Sequence, residues 1–223
     1  MLKLTDQDRQ RISDAIAAAE ANSDAEIVAA ATEISDAYHD VALHWAVAVL
    51  IAVLAWCAAF PGALEYYDHL VLGAWRVPSQ RELLTLLMVI AVAKFTAVLL
   101  LLRIPRLRLA LTPAATKQRR VRRRAIATFK AGAERRTIGR TGILIYLSLA
   151  ERRAEIVADE GILAVTDGES WVEAMLRLTT EFHAGRPVEG LVGAIECVGA
   201  VLATHFPKTA ADTNEIPDKL IEL

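Results

Sequence analysis

Apolar residues run almost unbroken through two stretches of the chain, and elsewhere they recur at the spacings of helices and short strands. The first stretch, residues 41–60 (VALHWAVAVLIAVLAWCAAF), has His44 as its one strongly polar residue. The second, residues 83–102 (LLTLLMVIAVAKFTAVLLLL), has Lys94 as its one charge. Each is about 20 residues, enough to carry a helix across ~30 Å of hydrocarbon, and a helix satisfies its own backbone there. A helix buried in a soluble core is also apolar all round, but two such runs favour transmembrane helices over that alternative.

The flanks are patterned differently. Thr5, three residues before Asp8, opens a helix reaching about Asn22, with Ile12, Ala15, Ile16 and Ala19 as its apolar stripe. Residues 25–32 (AEIVAAAT) read as a short buried strand. After the second apolar run, Pro105 and Pro113 interrupt the helix, and a basic helix is expected over residues 115–134. Residues 142–149 (GILIYLSL) form a β-rich run, 150–152 a tight turn, and 153–158 (RAEIVA) an alternating strand, together a hairpin. An acidic loop follows, with Asp159, Glu160, Asp167 and Glu169. Two helices come next. Residues 170–184 stop at Gly185 and line up Trp171, Met175, Leu178 and Phe182; residues 187–205 start at Pro187 and line up Leu191, Ile195, Val198 and Leu202. The tail, 207–223, reads as extended and polar.

A lone short strand needs a sheet, so the N-terminal strand is expected to pair with residues 142–149 or 153–158. The fold class is therefore α/β: a small sandwich with a central sheet flanked by helices, interrupted by a two-helix transmembrane hairpin. Residues 1–40 supply the first helix and strand, 41–60 and 83–102 the two spans, and 61–82 an external loop. Residues 103–136 form a basic juxtamembrane segment and helix, and 137–223 the remainder of the domain.

Composition agrees with a membrane chain: 54% hydrophobic residues and a mean hydropathy of +0.33, against ~45–50% apolar in ordinary soluble domains. The net charge of −2 says nothing of partners, but its distribution does. Arg103, Arg106, Arg108, Lys117, Arg119, Arg120, Arg122, Arg123 and Arg124 follow the second run with no acid among them, whereas residues 61–82 offer only Arg76 and Arg81. The positive-inside bias places the end of the second span in the cytoplasm. Two spans return the N-terminus to the same side, giving a multi-pass protein of the bacterial inner membrane with both termini cytoplasmic. The N-terminus lacks a cleavable apolar core, so the first run is expected to act as an internal signal anchor.

Arg119, Arg120, Arg122, Arg123 and Arg124 are expected to face anionic lipid, worth about 1 kcal/mol per base near the surface. No nucleic-acid partner is expected, because neither interleaved aromatics nor a recognisable module accompanies the bases. Lys94 has three readings. It snorkels to the cytoplasmic interface about 12 Å away at ~1.5 Å per residue, meets a membrane-protein partner or another copy, or serves transport. Snorkelling is the simplest, and His44 sits near the same interface. Cys57 and Cys197 form neither a disulfide framework nor a zinc pattern. No phosphate cradle, nucleophile elbow or paired-His metal site occurs, and no catalytic residue is assigned. Asp159, Glu160 and Asp167 have the chemistry of hard-cation ligands for Ca²⁺ or Mg²⁺; the other reading is a solvated acidic loop.

The segments LTDQDRQRISDAIAAAEANSDAEIVAAA, TGILIYLSLAERRAEIVADEG, FHAGRPVEGLVGAIECVGAVLATHFP and NEIPD together resemble the TPM domain family. The resemblance covers roughly residues 2–31 and 129–223, and the membrane hairpin looks like an insertion after the first strand, as in a membrane-anchored bacterial branch. It implies a small α/β sandwich. Some relatives are described as weak acid phosphatases, and some bind divalent cations. The loop ADEGILAVTD matches a region that in relatives is glycine-rich and ends in aspartate, here Asp167. The segment that precedes the first helix in relatives, with an aspartate of its own, has no counterpart here. The expected function is a membrane-tethered, non-catalytic interaction, assembly or chaperone-like module at the cytoplasmic membrane face, with no cofactor required. The alternative is a weak divalent-metal-assisted acid phosphatase.

Overall fold

The first strand, β1 (Glu26–Thr32), is buried along its whole length because it is paired on both sides. In the computed structural model, which describes residues 4–73, 77–132, 141–209 and 219–223, β1 runs parallel to β2 (Gly142–Ser148), with Glu26 opposite Gly142 and Thr32 opposite Ser148. On its other side it runs parallel to β4 (Ile221–Glu222). Between β2 and β4 in sequence, β3 (Arg153–Ala158) turns back antiparallel to β2, placing Ile143 opposite Ala158. The order is β3-β2-β1-β4. Arg152 takes a left-handed φ of 51° in the turn between β2 and β3, a conformation that costs an L-residue about 1–2 kcal/mol.

Side chains alternate across the sheet with period two. Ile27, Ala29, Ala31, Ile143, Ile145 and Leu147 point to one face, where they meet Ile12 and Ile16 of α1 (Asp6–Glu20) and the apolar stripes of two later helices. These are α8 (Val172–His183), with Ala174 and Leu178, and α9 (Pro187–His205), with Leu191, Ile195, Val198 and Leu202. Val28, Ala30, Leu144 and Tyr146 point to the other face, under Val121, Ala125 and Phe129 of α6 (Ala114–Gly132). That four-residue spacing puts the three on one side of the helix. Both faces are thus covered, which is why β1 and β2 read as continuous apolar runs.

Local chemistry sets the helix ends. The Thr5 hydroxyl accepts from the Asp8 amide at 3.1 Å while Asp8 accepts from the Thr5 amide at 2.9 Å, a complete capping box. Gly185, at φ 80°, follows α8, and Pro187 occupies the first turn of α9, where its missing N–H is no loss. Small residues bring α9 close to its neighbours. A β-carbon at Gly190 would lie 2.9 Å from the Leu178 carbonyl oxygen, and one at Gly199 would collide with Ala19.

The chain divides into two compact units, Met1–Asp36 with Ala114–Leu223 and Ala37–Pro113. The second contains α2 (His39–Ala59), α3 (Gly62–Leu72), α4 (Gln80–Leu101) and α5 (Pro105–Ala110). Here α2 packs on α4, Ser79 and Glu82 form a capping box at the start of α4, and the Trp45 indole donates to the Leu111 carbonyl at 3.2 Å. Among the described residues, three helices are long and apolar enough to cross a membrane: α2, α4 and α9. Half of the α9 window is buried inside the protein, against 22% for α2 and 6% for α4.

Several segments are more structured than their sequences indicate. Residues 61–82, read as a loop, contain α3. Pro105 begins α5 instead of merely ending α4, because its fixed φ suits a first helical turn. The acidic loop holds α7 (Glu160–Leu163) and a 3-10 turn, Gly168–Trp171. The polar tail supplies β4. The NEIPD segment, residues 214–218, and residues 133–136 of the basic segment lie outside the described residues.

Candidate functional site

In open α/β sheets the carboxyl ends of parallel strands are the usual place for ligands. Here β1 and β2 end side by side, and a row of oxygens follows. Tyr146 and Ser35 share a hydrogen bond between their hydroxyls at 3.1 Å. Ser35 donates to the Ser148 hydroxyl at 2.8 Å, and Ser148 donates to Glu151 Oε2 at 2.5 Å. The Ser35 amide donates to Glu151 Oε1 at 2.8 Å. The parallel ladder continues past the strands, with the Leu149 amide on the Thr32 carbonyl at 3.0 Å and the Ala150 amide on the Glu33 carbonyl at 2.8 Å.

Burial decides what this network does. Ser148 is fully buried and Glu151 is 6% exposed, so neither is open to a substrate. Burial pushes the Tyr146 phenol up, opposed in part by its Ser35 hydrogen bond, so the phenol is neutral, and the one hydroxyl paired with a carboxylate here, Ser148 on Glu151, is enclosed. The network fastens the segment after β1 to the turn after β2. Next to it, Arg120 and Arg123 of α6 each reach Asp36 at 3.2 Å, which fixes the first half of α6 at this end of the sheet. On the β3 side, Gln118 bridges Arg153 and Glu155. Burial pushes the Glu155 carboxyl up, with Arg122, Gln118 and Arg153 pulling it back.

The five arginines expected to face lipid all lie on α6. Arg119, Arg122, Arg123 and Arg124 are exposed, and Arg120 is half-buried in its pair with Asp36. Lys94 on α4 and His44 on α2 are both exposed. The loop carboxylates are not gathered into one ligand set. Asp159 is buried and caps α7, accepting from the Glu160 amide at 2.9 Å. Asp167 caps the 3-10 turn, accepting from the Ser170 amide at 2.9 Å and its hydroxyl at 2.8 Å. Glu160 is exposed in the first turn of α7. Among the described residues, no group of three or more His, Cys, Asp or Glu side chains is placed to hold a metal ion.

Sequence reasoning missed two features. The apolar stripe of α6 was visible as Val121, Ala125 and Phe129 at four-residue spacing, though the bases around it dominate the pattern. The hydroxyl row left no local signal, since Ser35 and Ser148 are 113 positions apart.

No family model matches the sequence, and no curated protein matches it. The NMR structure of BA42 from the psychrophilic bacterium Bizionia argentinensis is similar, with a TM-score of 0.57 and 19% sequence identity, over 99% of this chain and 95% of that one. What the two share is the fold.

Proposed function

We propose that the chain is a two-pass protein of the bacterial inner membrane. Its α/β unit, a TPM-like domain, works at the cytoplasmic membrane face as a non-catalytic interaction, assembly or chaperone-like module. The observation that carries this is the exposure of α2 and α4. Leu43, Ile51, Trp56, Met88 and Val92 are between 52% and 60% exposed, on helices of mean hydropathy 2.3 and 2.5. Water does not tolerate so large an apolar surface, whereas lipid does. The outward arginines of α6 supply the matching charge for anionic headgroups, and the positive-inside bias gives the orientation. Support for a non-catalytic role comes from the buried hydroxyl row and from loop carboxylates already engaged as caps.

Reporter fusions test the topology. A cytoplasmic reporter active at Leu223 and an external one active within residues 61–82 are expected; an externally active reporter at Leu223 would overturn it. For the role itself, the intact protein in detergent is expected to hydrolyse no phosphomonoester with or without Ca²⁺ or Mg²⁺, and metal-stimulated turnover would refute the non-catalytic reading.

A further inference from the structure

We propose that α3 lies in the external interface of the bilayer as a further membrane-embedded helix, with Tyr66, Tyr67, Leu70 and Val71 set in lipid. A helix packed on a protein in water turns its apolar side inward and its charges outward. The reverse holds for α3. Tyr66, Leu70 and Val71 are 66%, 68% and 65% exposed and Tyr67 is 40% exposed, whereas Asp68 is fully buried. Tyr66 with Leu70, and Tyr67 with Val71, stand four residues apart, so the four form one continuous side. Asp68, two residues after Tyr66, falls on the opposite side at about 3.6 residues per turn, and the His69 ring next to it keeps its Nδ1 enclosed. In water this helix would bury a carboxylate and display an apolar surface at once, both unfavourable. With lipid on its outer side the same arrangement is the expected one.

The path of the chain selects lipid over a soluble partner. The first span, α2, ends at Ala59, and α3 begins at Gly62. Phe60 and Pro61 alone join them, and the Ala63 amide bonds back to the Phe60 carbonyl at 2.9 Å. The first turn of α3 therefore stays at the level where α2 leaves the hydrocarbon. Gly73, at φ 95°, ends the helix, and α3 packs on both α2 and α4. Its 11 residues rise about 16 Å, roughly half of the ~30 Å core, too little to cross it. Aromatic rings mark the level. Trp56 and Phe60, 57% and 54% exposed, stand with ring centroids 4.6 Å apart at the end of α2, and Tyr66 and Tyr67 meet edge-on at 6.1 Å. Tryptophan and tyrosine settle at the headgroup boundary because one end of the ring is apolar and the other polar. An interfacial helix sinks its apolar side about 5–10 Å into that boundary. This inference rests on the two-pass reading and adds to it a lipid-binding surface on the external side.

The test uses the full chain in phosphatidylcholine discs, with Cys57→Ala/Cys197→Ala as background and one nitroxide-labelled cysteine at a time. Collisions of the label with oxygen, which concentrates in lipid, are compared with collisions with a nickel chelate, which stays in water. Labels at Tyr66→Cys, Leu70→Cys and Val71→Cys are expected to favour oxygen several-fold more than one at Glu169→Cys, an exposed position of the α/β unit. They should favour it less than one at Ile51→Cys, midway along α2. Glu65→Cys, on the polar flank of α3, should meet nickel more often than Tyr66→Cys. Nickel-favoured labels at all three α3 positions, with Ile51→Cys still oxygen-favoured, would overturn the placement of α3 and leave the spans standing. Shielding from both reagents, the sign of protein contact such as a second copy, would overturn it as well. A nickel-favoured Ile51→Cys would sink the two-pass reading and this inference with it. In the unsubstituted chain, the ring protons of Tyr66 and Tyr67 should show NMR cross-relaxation with lipid acyl protons. Cross-relaxation with water alone would refute the proposal independently of any cysteine variant.

Discussion

Gly199 meets Ala19 where α9 crosses α1, so closely that a β-carbon at 199 would stand 2.6 Å from the Ala19 methyl and 3.2 Å from its Cα. The two helices are joined there by backbone proximity, and α1 owes its seat on the sheet to that contact as well as to Ile12 and Ile16. Gly199→Val should therefore push α1 outward and destabilise the α/β unit by roughly 1–3 kcal/mol, the usual range for overpacking. Thermal unfolding of the intact protein in detergent would read it, and adding Ala19→Gly should recover part of the loss. An unchanged melting temperature in Gly199→Val would show that α1 is not docked this way.

Acid should destabilise the protein through three caps and clasps. The Thr5 amide holds the Asp8 carboxyl below its usual range, the Thr209 amide does the same for Asp24, and the Ser170 hydroxyl for Asp167. A depressed folded pKa gives stability that is complete above the unfolded value and is lost as pH falls through the folded one. Melting temperatures between about pH 3 and 6 should fall less steeply in the Asp8→Asn/Asp24→Asn/Asp167→Asn protein than in the native one. A parallel slope would show that other carboxylates govern acid unfolding.

Glu155 should have the opposite sign. Burial raises its pKa, with Arg122 the main opposing influence. A raised folded value means that the protein loses stability as pH climbs from the unfolded value through the folded one. Glu155→Gln keeps an acceptor for Gln118 and removes that loss, so it should be more stable than native at neutral pH and no better in acid. A variant equally stabilised at both pH values would refute the burial argument.

Ca²⁺ should bind weakly at most. A tight site takes six or more oxygens at ~2.3–2.6 Å, and Asp159 and Asp167 already accept bonds from the amides they cap. Calorimetry on the intact protein should show no strong site, and Asp167→Ala should change melting more than metal uptake. Tight binding abolished by Asp167→Ala would revive the phosphatase reading.

The strands and most helices of this protein are legible because their signals are local. Residues 153–158 alternate and become β3 over that same span, and Pro187 opens α9 as its ring geometry dictates. The sequence offers β1 two candidate partners, residues 142–149 and 153–158, and only the three-dimensional register selects β2. β4 is two residues long and depends on pairing with Ala30 and Ala31, so no pattern in Ile221 and Glu222 announces it. The site shows the same division. The arginines of α6 are conspicuous as a run, whereas the clasp of the Ser35 amide on Glu151 joins residues 116 positions apart. Asp159 and Asp167 read as loop acids because the short turns they cap have no periodicity to detect.

The pairing of β1 with β2 also imposes a wait during synthesis. At ~5–20 residues per second, the ribosome takes on the order of 6–23 s to complete β2 after completing β1. All of α2 to α6 is made in that interval. Throughout it the seven residues of β1 have neither neighbouring strand, since β4 comes later still. A nascent apolar strand without partners is prone to wrong association, so each newly made molecule needs its first 36 residues kept apart from other chains until its own last third emerges.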